Sequence, residues 1–354
     1  MEQLDEVQLG LDTFGDVTVD ADGRPQTPAR TLRDLVAQGE LADQVGIDAF
    51  SVGEHHRDDF AVSAPEVVLS AIAARTERIL LGSAVTVLSS DDPVRVFERF
   101  ATLDGISGGR AEVTVGRGSF TESFPLFGYD LGQYQVLFEE KLDLFVKLLR
   151  EQPVTWSGTT RAPLHDQLVY PPTESGSLRA WVGVGGSPAS VLRTARHQLP
   201  MMLAIIGGDA GRFRPFVDLY RRSLDELGAP ALPVGVHSPG HLAETDEQAK
   251  EELFPHFKAN RDRIGAERGW PPVGRVEFER EAGPRGSLYV GSPETVARKI
   301  AATVSTLGAQ RFDLKYSNGP MPHHQLMSSI ELYGTQVVPR VRELLAEQVQ
   351  PAPA

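Results

Sequence analysis

Short apolar segments alternate along the chain with longer segments that have the 3.6-residue period of a helix. The predicted strands are Val7–Leu11, Asp48–Val52, Ile79–Leu88, Ala111–Val115, Ala180–Val184, Met201–Ile206, Pro233–His237 and Arg311–Tyr316. The predicted helices are Leu32–Gln44, Pro65–Arg75, Pro93–Leu103, Gln135–Leu149, Pro188–Arg196, Phe213–Leu227, Asp246–Ile264, Pro293–Leu307 and a last one over His324–Glu347. A doubly wound sheet is the competing α/β arrangement, but eight strand–helix units favour a single closed (β/α)8 TIM barrel.

Two segments interrupt this alternation. Gln152–Ser177 predicts a short hairpin outside the barrel, and Gly265–Gly286, rich in glycine, proline and charge, predicts a mobile excursion. We expect both insertions at the C-terminal mouth of the barrel, where such segments cover active sites. No segment has the composition of a linker, so we predict one domain over residues 1–354.

Charge and cysteine content exclude several classes of function. The 354 residues carry a net charge of −13 and include no cysteine. The acidic balance argues against nucleic acid or an anionic membrane as a partner, and disulfides, thiolate nucleophiles and cysteine-ligated zinc are excluded. The sequence starts without a secretory leader pattern and has no apolar run long enough to span a bilayer. These features predict a soluble cytoplasmic protein.

Three titratable residues, Glu54, His55 and His56, follow the second predicted strand in the stretch "SVGEHH". Barrel active sites form at this end of the strands, and an imidazole there can act as general acid or base near neutral pH. Hydrogen bonding within the loop is the simpler alternative. A metal site is disfavoured, because only His237 and His241 could add ligands.

An anion site is predicted after the fourth and fifth strands. In "VTVGRGS", Arg117 lies between two glycines and offers a fork of donors for phosphate or carboxylate. In "WVGVGGSPASVLRTA", Ser187 is a predicted N-cap and Pro188 the first residue of a helix whose N-terminus attracts anions.

A second helix start in the sequence serves as a comparison. "VGSPETVARKI" has the same Gly-Ser-Pro beginning, but Glu294 lies in its first turn and would repel phosphate. We therefore assign phosphate binding to Gly186, Ser187 and Ser190, and structural capping to Ser292. The third strand, with small residues at Gly82, Ser83 and Ala84, suits a flat aromatic ligand.

Taken in order, these segments resemble the bacterial luciferase-like superfamily of flavin-dependent monooxygenases. The resemblance is carried by "EHH", "GSAVTVL", "GGRAEVTVGRGSFTESFPLFGYD", "VGVGGSPASVLRTARHQLPMMLAIIGG" and "GSPETVARKI". It implies that flavin mononucleotide (FMN) binds at the barrel mouth, with its phosphate held by Arg117, Ser119, Gly186, Ser187 and Ser190. It also implies ring contacts from Glu54, Ala84, Val85, Gly116, Phe120 and Val184, and a cis peptide between Ala84 and Val85.

The resemblance further implies a reaction. Reduced flavin, supplied by a separate reductase, reacts with O2, and His55, oriented by Glu54 and with His56 beside it, delivers or removes one proton. The expected substrate is an aldehyde, ketone or similar small molecule, bound among Glu122–Gln133 and Gly265–Gly286, and the expected assembly is a homodimer. Gly116 replaces the reactive cysteine of the light-emitting subunits, which argues against luminescence. A deazaflavin-dependent oxidoreductase and a non-catalytic flavin-binding protein are the alternatives.

Overall fold

Parallel β-strands form the centre of the computed structural model, which describes residues 6–20, 22–118 and 120–349. The strands are β1 (Gln8–Thr13), β2 (Ala49–Val52), β3 (Leu80–Ser83), β4 (Thr86–Val87), β5 (Glu112–Gly116), β6 (Val154–Trp156), β7 (Leu164–Gln167), β8 (Arg179–Val184), β9 (Met201–Ala204), β10 (Val234–Leu242), β11 (Tyr289–Gly291) and β12 (Arg311–Lys315). The α-helices are α1 (Pro28–Gln44), α2 (Pro65–Ala73), α3 (Pro93–Ser107), α4 (Ser123–Leu126), α5 (Tyr134–Leu148), α6 (Pro188–Arg196), α7 (Arg214–Glu226), α8 (Asp246–Arg268), α9 (Arg275–Ala282), α10 (Pro293–Leu307), α11 (His323–Leu332) and α12 (Val338–Val349).

The central sheet closes into a barrel. Its strands pair in the order β3-β2-β1-β12-β10-β9-β8-β5-β4. Only Ala84 and Val85 separate β3 from β4, and a bridge between Leu81 and Ala111 joins β3 to the start of β5. The two short strands therefore occupy one position between β2 and β5. The barrel has eight such positions, which confirms the predicted (β/α)8 fold.

Alternation along the strands decides which side chains enter the barrel. In β1, Leu9 and Leu11 are fully buried beneath the helices. Gly10 faces inward instead, and a Cβ there would lie 2.2 Å from Asp313 Oδ1. Some of the outer helices begin where a side chain satisfies a free N–H group, as at Thr27, Asp92, Ser187 and Thr245.

A buried charged cluster fills the barrel below its mouth. Arg311, which is 1% exposed, donates to Asp313 Oδ1 at 2.8 Å and also bonds Glu112. Burial raises the pKa of Asp313 to about 6, although the neighbouring Arg311 acts in the opposite direction. Two carboxylates thus compensate one guanidinium in the centre of the fold.

Most predicted elements begin and end within four residues of the observed ones, and three differ by more. The predicted strand Ile79–Leu88 is broken at Ala84–Val85, and the predicted helix His324–Glu347 is two helices joined by the π-helical turn Tyr333–Val337. β10 continues five residues beyond the predicted end at His237, because β11, which the sequence pattern did not predict, pairs with its last three residues.

The first insertion is the predicted hairpin, but its expected position at the mouth was wrong. β6 and β7 pair antiparallel and connect the end of α5 to the start of β8. A helix-to-strand connection leaves a parallel barrel at the N-terminal end of its strands. The hairpin packs along α5, where Trp156 Nε1 donates to Asp143 Oδ2 at 3.0 Å.

The second insertion lies between β10 and α10, on the C-terminal side of the barrel as expected. It contains the end of α8 and the helix α9, neither of which the sequence pattern indicated within this segment, and its mobility stays a prediction. Phe278 of α9 is fully buried and packs against Phe254 and Phe257 of α8, which explains why this charged segment is helical.

Across the described residues, no helix is long and apolar enough to cross a membrane. The single domain over 1–354 stays a prediction.

Candidate active site

Small residues and a cis peptide form one wall of the barrel mouth. The Ala84–Val85 peptide is cis, as predicted. A Cβ on Gly116 or Gly183 would lie 2.7 or 2.9 Å from the methyl groups of Val85, so both positions admit only glycine beside it. Ala84, Val85 and Gly183 are partly exposed at the end of a buried sheet. This uncharged wall, called the small-residue wall below, can accept a planar ring.

One predicted ring contact does not face this wall. Val184 is 2% exposed and belongs to the core between barrel and helices. Its neighbour Gly183 faces the mouth, because successive residues of a strand point to opposite sides. The Val184 side chain therefore does not face the mouth, and Gly183 is the neighbouring residue of β8 that does. A contact between Val184 and the ring stays a prediction.

Arg117 and the N-terminus of α6 meet beside the small-residue wall. Arg117 Nη2 donates to Ser190 Oγ at 3.2 Å and Nη1 donates to Gln135 Oε1 at 3.3 Å. Ser187 is the N-cap of α6: its Oγ accepts the Ser190 N–H and lies 2.8 Å from Ser190 Oγ. No acidic residue lies in the first turn of this helix. The arrangement can bind an anion through a guanidinium, two hydroxyls and helix N–H groups.

Glycine shapes the entry to this helix. Gly186 has φ of +86°, a left-handed conformation that favours glycine, and it turns the chain from β8 into α6. Ser119, the remaining predicted phosphate contact, lies outside the described residues.

The comparison helix α10 is closed to an anion by a contact that the sequence did not predict. Ser292 occupies the N-cap position, but its side chain accepts no helix N–H group, so its assignment as a structural cap was wrong. Asp246 Oδ1 instead accepts both the N–H and the Oγ–H of Ser292, at 2.7 and 2.8 Å. Glu294 in the first turn pairs with Arg298 and Arg340. Carboxylates of the chain itself therefore occupy this helix start.

Glu54 binds His56 rather than His55. Glu54 Oε1 lies 2.8 Å from His56 Nε2, and Oε2 accepts the N–H of Val87 at 2.9 Å. The hydrogen bond from Glu54 is the main cause that raises the pKa of His56. The Glu54 N–H also donates to Val85 O at 3.3 Å, so this residue ties the His56 loop to the cis peptide. The predicted orientation of His55 by Glu54 was wrong.

His55 lies in an aromatic cage at the mouth. Its ring centroid is 4.9 Å from that of Phe14, 4.5 Å from Phe60 and 4.9 Å from Phe120. Its Nδ1 is 3.6 Å from Glu122 Oε1, the distance of an ion pair when the imidazole is protonated. Burial alone would raise the pKa of Glu122, but the contact with His55 and backbone N–H groups lower it.

The end of α8 covers this cage. Arg57, in the loop after β2, bonds Glu267 of α8 at 2.6 and 2.8 Å. Arg263 of α8 pairs with Asp59 of the same loop. The guanidinium groups of Arg57 and Arg268 lie 4.7 and 5.0 Å from the Phe120 ring centroid. The predicted ring contact Phe120 thus connects His55 to the covering helix.

Charged residues line the opposite side of the mouth. His237 Nδ1 of β10 lies 3.2 Å from Asp12 Oδ2 of β1. Burial by itself would lower the pKa of His237, but the charges of Asp12 and Asp313 and the hydrogen bond raise it. Lys315 bonds Ser317 O and Asp16, and its Nζ is 4.6 Å from the Phe14 ring centroid.

The histidines considered for a metal are separated by their partners. His237 faces Asp12, whereas His241 is fully buried and bonds Glu252 at 2.8 Å. Within the described parts of the chain, no group of three or more histidine, aspartate or glutamate side chains could hold a metal ion.

The sequence reasoning located strand ends but missed residues that complete the site. Glu122 was assigned only to a variable loop, and Gln135 only to a helix. Phe14 and Phe60 gave no signal, because an apolar residue near a strand end is indistinguishable from core. Asp12 was detectable as a carboxylate at the end of an apolar strand.

The closed (β/α)8 barrel, with the start of α6 and the small-residue wall at its mouth, has the architecture of the TIM-barrel class. The family model for luciferase-like monooxygenases matches residues 14–311. The chain therefore belongs to the luciferase-like monooxygenase family, whose members are oxidoreductases.

Relatives support this membership across much of the chain. The protein YwcH of Bacillus subtilis is 39% identical over 303 residues, which cover 77% of this chain and 83% of that protein. The 4-hydroxyprotoasukamycin monooxygenase of Streptomyces nodosus subsp. asukaensis is 29% identical over 280 residues, 75% of each chain.

Solved structures share the fold at low identity. The monooxygenase RslO1 from Streptomyces bottropensis has a TM-score of 0.81 at 22% identity, covering 94% of this chain and 99% of that one. The oxygenating constituent of 3,6-diketocamphane monooxygenase from Pseudomonas putida, solved with FMN, has a TM-score of 0.74 at 19% identity, over 95% and 98%. An F420-dependent secondary alcohol dehydrogenase, solved with an F420-acetone adduct, has a TM-score of 0.74 at 16% identity, over 95% and 99%. FMN and F420 are ligands of those two proteins, and what this chain shares with them is the fold.

Proposed function

We propose that this protein is an FMN-dependent monooxygenase that uses reduced flavin and O2 to oxidise a small organic substrate such as an aldehyde or ketone. One observation carries the proposal: Arg117, Ser187 and Ser190 form an anion site directly beside the small-residue wall. A phosphate and a flat ring are the two ends of FMN, and the two surfaces occur in that order along the mouth.

The residues present fit the cofactor. Gly116 and Gly183 leave the wall without projecting side chains, and Val85 packs between them. The start of α6 has no acidic residue, and Arg117 lies over it. The other helix start with the same Gly-Ser-Pro sequence already holds Asp246. Of these two helix starts, only α6 is left with uncompensated positive charge for a phosphate.

The protein's own groups would position the cofactor, handle a proton and exclude water. Bound reduced flavin would supply the electrons and the reaction with O2. Arg117 and the α6 N–H groups would hold the phosphate. His55, with Nδ1 toward Glu122, would exchange a proton with the reacting centre through Nε2. Phe14, Phe60 and Phe120 around His55, and α8 above them, would keep water away from that proton.

An apolar surface beside the mouth supports an organic substrate. Leu126, Phe127 and Leu131 follow β5 and are 61%, 49% and 49% exposed. Phe127 also packs edge-on against His56, with centroids 5.0 Å apart. A substrate entering along this segment would pass the Glu54–His56 pair.

A separate reductase and a homodimeric assembly belong to the same proposal. Sedimentation of a monomer at micromolar concentration would contradict the dimer.

Oxygen incorporation tests the function. The protein is mixed with chemically reduced FMN and 18O2 in the presence of a panel of aliphatic and aromatic aldehydes and ketones. We expect one 18O atom in an oxidised product, and none when boiled protein is used. Turnover of the same panel by reduced deazaflavin without O2, and not by reduced FMN, would assign the protein to the deazaflavin-dependent branch. FMN binding without any product from the panel would favour the non-catalytic alternative.

A further inference from the structure

An imidazole–carboxylate pair lies across the mouth from the proposed flavin site. His237 of β10 pairs with Asp313, and Asp12 of β1 pairs with Lys315. Paired residues of neighbouring strands point to the same side of the sheet. Asp313 and Lys315 point into the barrel, so His237 and Asp12 do so as well. In the barrel order, β10 is four positions from β3 and β4 in either direction. His237 is therefore diametrically opposite the small-residue wall, facing whatever lies between them.

His237 has one nitrogen occupied and one open. Its Nδ1 pairs with Asp12 Oδ2 at 3.2 Å, while Nε2 makes no hydrogen bond to any residue that the structure describes. The side chain keeps 19% of its surface exposed although it lies inside the barrel. Buried polar atoms usually have a hydrogen-bond partner, so an open nitrogen on a largely buried imidazole favours a ligand on that side.

The neighbouring charges leave this imidazole as the available donor. Lys315 is also cationic, but its Nζ is satisfied by Ser317 O and Asp16. Asp12 is 1% exposed, and its second oxygen, Oδ1, has no hydrogen-bond partner among the described residues. The charged groups that face His237 are Asp12, Asp313 and Lys315. The two carboxylates favour the protonated imidazole, and the lysine opposes it.

We propose that His237, positioned by Asp12, binds the carbonyl oxygen of the substrate, on which negative charge develops when the carbonyl carbon is attacked. This assignment rests on the proposed function, because it places the substrate on the open side of the ring site. Asp12 accepts the Nδ1–H and fixes the ring, and Nε2–H donates to the carbonyl oxygen. When an oxygen nucleophile supplied by O2 and the reduced cofactor bonds to the carbonyl carbon, the electron pair of the C=O π bond would move onto the carbonyl oxygen. A charge-assisted donor stabilises that oxyanion more than the neutral carbonyl, which favours the attack.

A spectroscopic probe tests this site without turnover. The probe is 4-nitrophenol, whose phenolate oxygen mimics the oxyanion and whose two protonation states differ in colour. Its phenol and phenolate forms are titrated against the cofactor-free and the FMN-loaded protein. We expect the wild-type protein to bind phenolate about tenfold more tightly than phenol, because a charged hydrogen bond is gained. His237→Gln should lose this preference while binding phenol within about twofold of wild type, since shape is retained.

Matched variants separate the possible causes. Asp12→Asn should weaken the phenolate preference, and His165→Gln, on the exposed strand β7, should leave it unchanged. His237→Asn replaces His237→Gln if the latter does not fold by circular dichroism. The proposal is overturned if wild type binds neither form or both equally. It is also overturned if the preference survives loss of His237 or disappears in Lys315→Met alone.

The outcome is distinguishable from failure of the proposed function. FMN affinity is measured in the same samples by flavin fluorescence. If FMN does not bind, the proposed function fails, while the phenolate preference of the cofactor-free protein still decides whether His237 is an oxyanion donor. If FMN binds and the preference is absent, only the assignment of His237 is wrong.

Discussion

His55 and His56 are adjacent in sequence but differ in their surroundings. His55 is enclosed by three phenylalanine rings and faces Glu122, whereas His56 is held by Glu54. A residue with a strong fixed partner is suited to holding a loop in place, and a residue with a loose contact in an apolar cage is suited to exchanging a proton. The two imidazoles therefore have separable roles.

His55→Ala should impair coupled turnover more than flavin binding. Arg117 and α6, which we expect to anchor the cofactor, follow β5 and β8, which are at least two barrel positions from β2. A positioned acid or base contributes about 10²–10⁴-fold to rate. Stopped-flow oxidation of reduced FMN, with peroxide measured alongside, should show uncoupled oxidation in His55→Ala and a milder effect in His56→Ala. Wild-type coupling in His55→Ala together with its loss in His56→Ala would exchange the two roles.

For single residues, the sequence predicted which positions lie at the barrel mouth better than it predicted which side chains contact each other. Glu54, His55 and Arg117 follow apolar strands, and barrel geometry brings strand ends together. Glu122 is 67 residues after His55, and no local pattern indicates that the two side chains meet. Val184 was predicted beside the ring although its side chain packs in the core, because periodicity marks a strand without fixing which of its faces enters the barrel.

The helices α6 and α10 begin with the same Gly-Ser-Pro sequence but differ in the side chains that face their N-termini. The N-terminus of α6 faces Arg117 and two hydroxyls, and that of α10 faces the carboxylate of Asp246. The dipole is the same in both, so the difference in anion binding comes from what the rest of the fold places in front of each helix.

Substitutions at the two helix starts should therefore have unequal effects on FMN affinity. Arg117→Ala should weaken binding by about 2 kcal/mol, because a charge-assisted phosphate contact is lost. Ser187→Ala should weaken it less, and Ser292→Ala, the matched control, should leave it unchanged. Isothermal titration with FMN measures all three. Equal losses for Arg117→Ala and Ser292→Ala would show that the phosphate site was assigned to the wrong loop.

The sequence predicted most strands and helices but not the side of the barrel on which an insertion lies. The hairpin of β6 and β7 was recognised from its turn residues, yet its position follows from its place between a helix and a strand. The helix α9 was missed, because only Phe278 and a few neighbours form its buried face and the flanking glycines and prolines dominate the composition.

For the whole molecule, the buried Arg311 cluster is the feature on which stability depends most. Glu112 and Asp313 are 2% and 3% exposed and share Arg311 as their cationic partner. Glu112 lies 199 residues from Arg311, so their contact could not be predicted without the closed barrel. The acidic sequence showed only that carboxylates are in excess.

Arg311→Met should destabilise the fold by about 3–5 kcal/mol, because it leaves two buried carboxylates without compensation. Arg298→Met, which removes an exposed pair with Glu294 on α10, should cost about 0.2–1 kcal/mol. Urea unfolding followed by circular dichroism gives both free energies. A small effect of Arg311→Met would mean that the two buried carboxylates do not depend on Arg311 for their stability in the folded barrel.

The central claim is that an anion site and a small-residue wall at one barrel mouth bind FMN. Equilibrium titration of the full chain with FMN, FAD and the deazaflavin coenzyme F420, each followed by fluorescence, tests it most directly. We predict that FMN binds most tightly and that Arg117→Ala loses at least tenfold of that affinity, as expected for about 2 kcal/mol. Tighter binding of F420 than of FMN, or FMN affinity that does not depend on Arg117, would contradict the account.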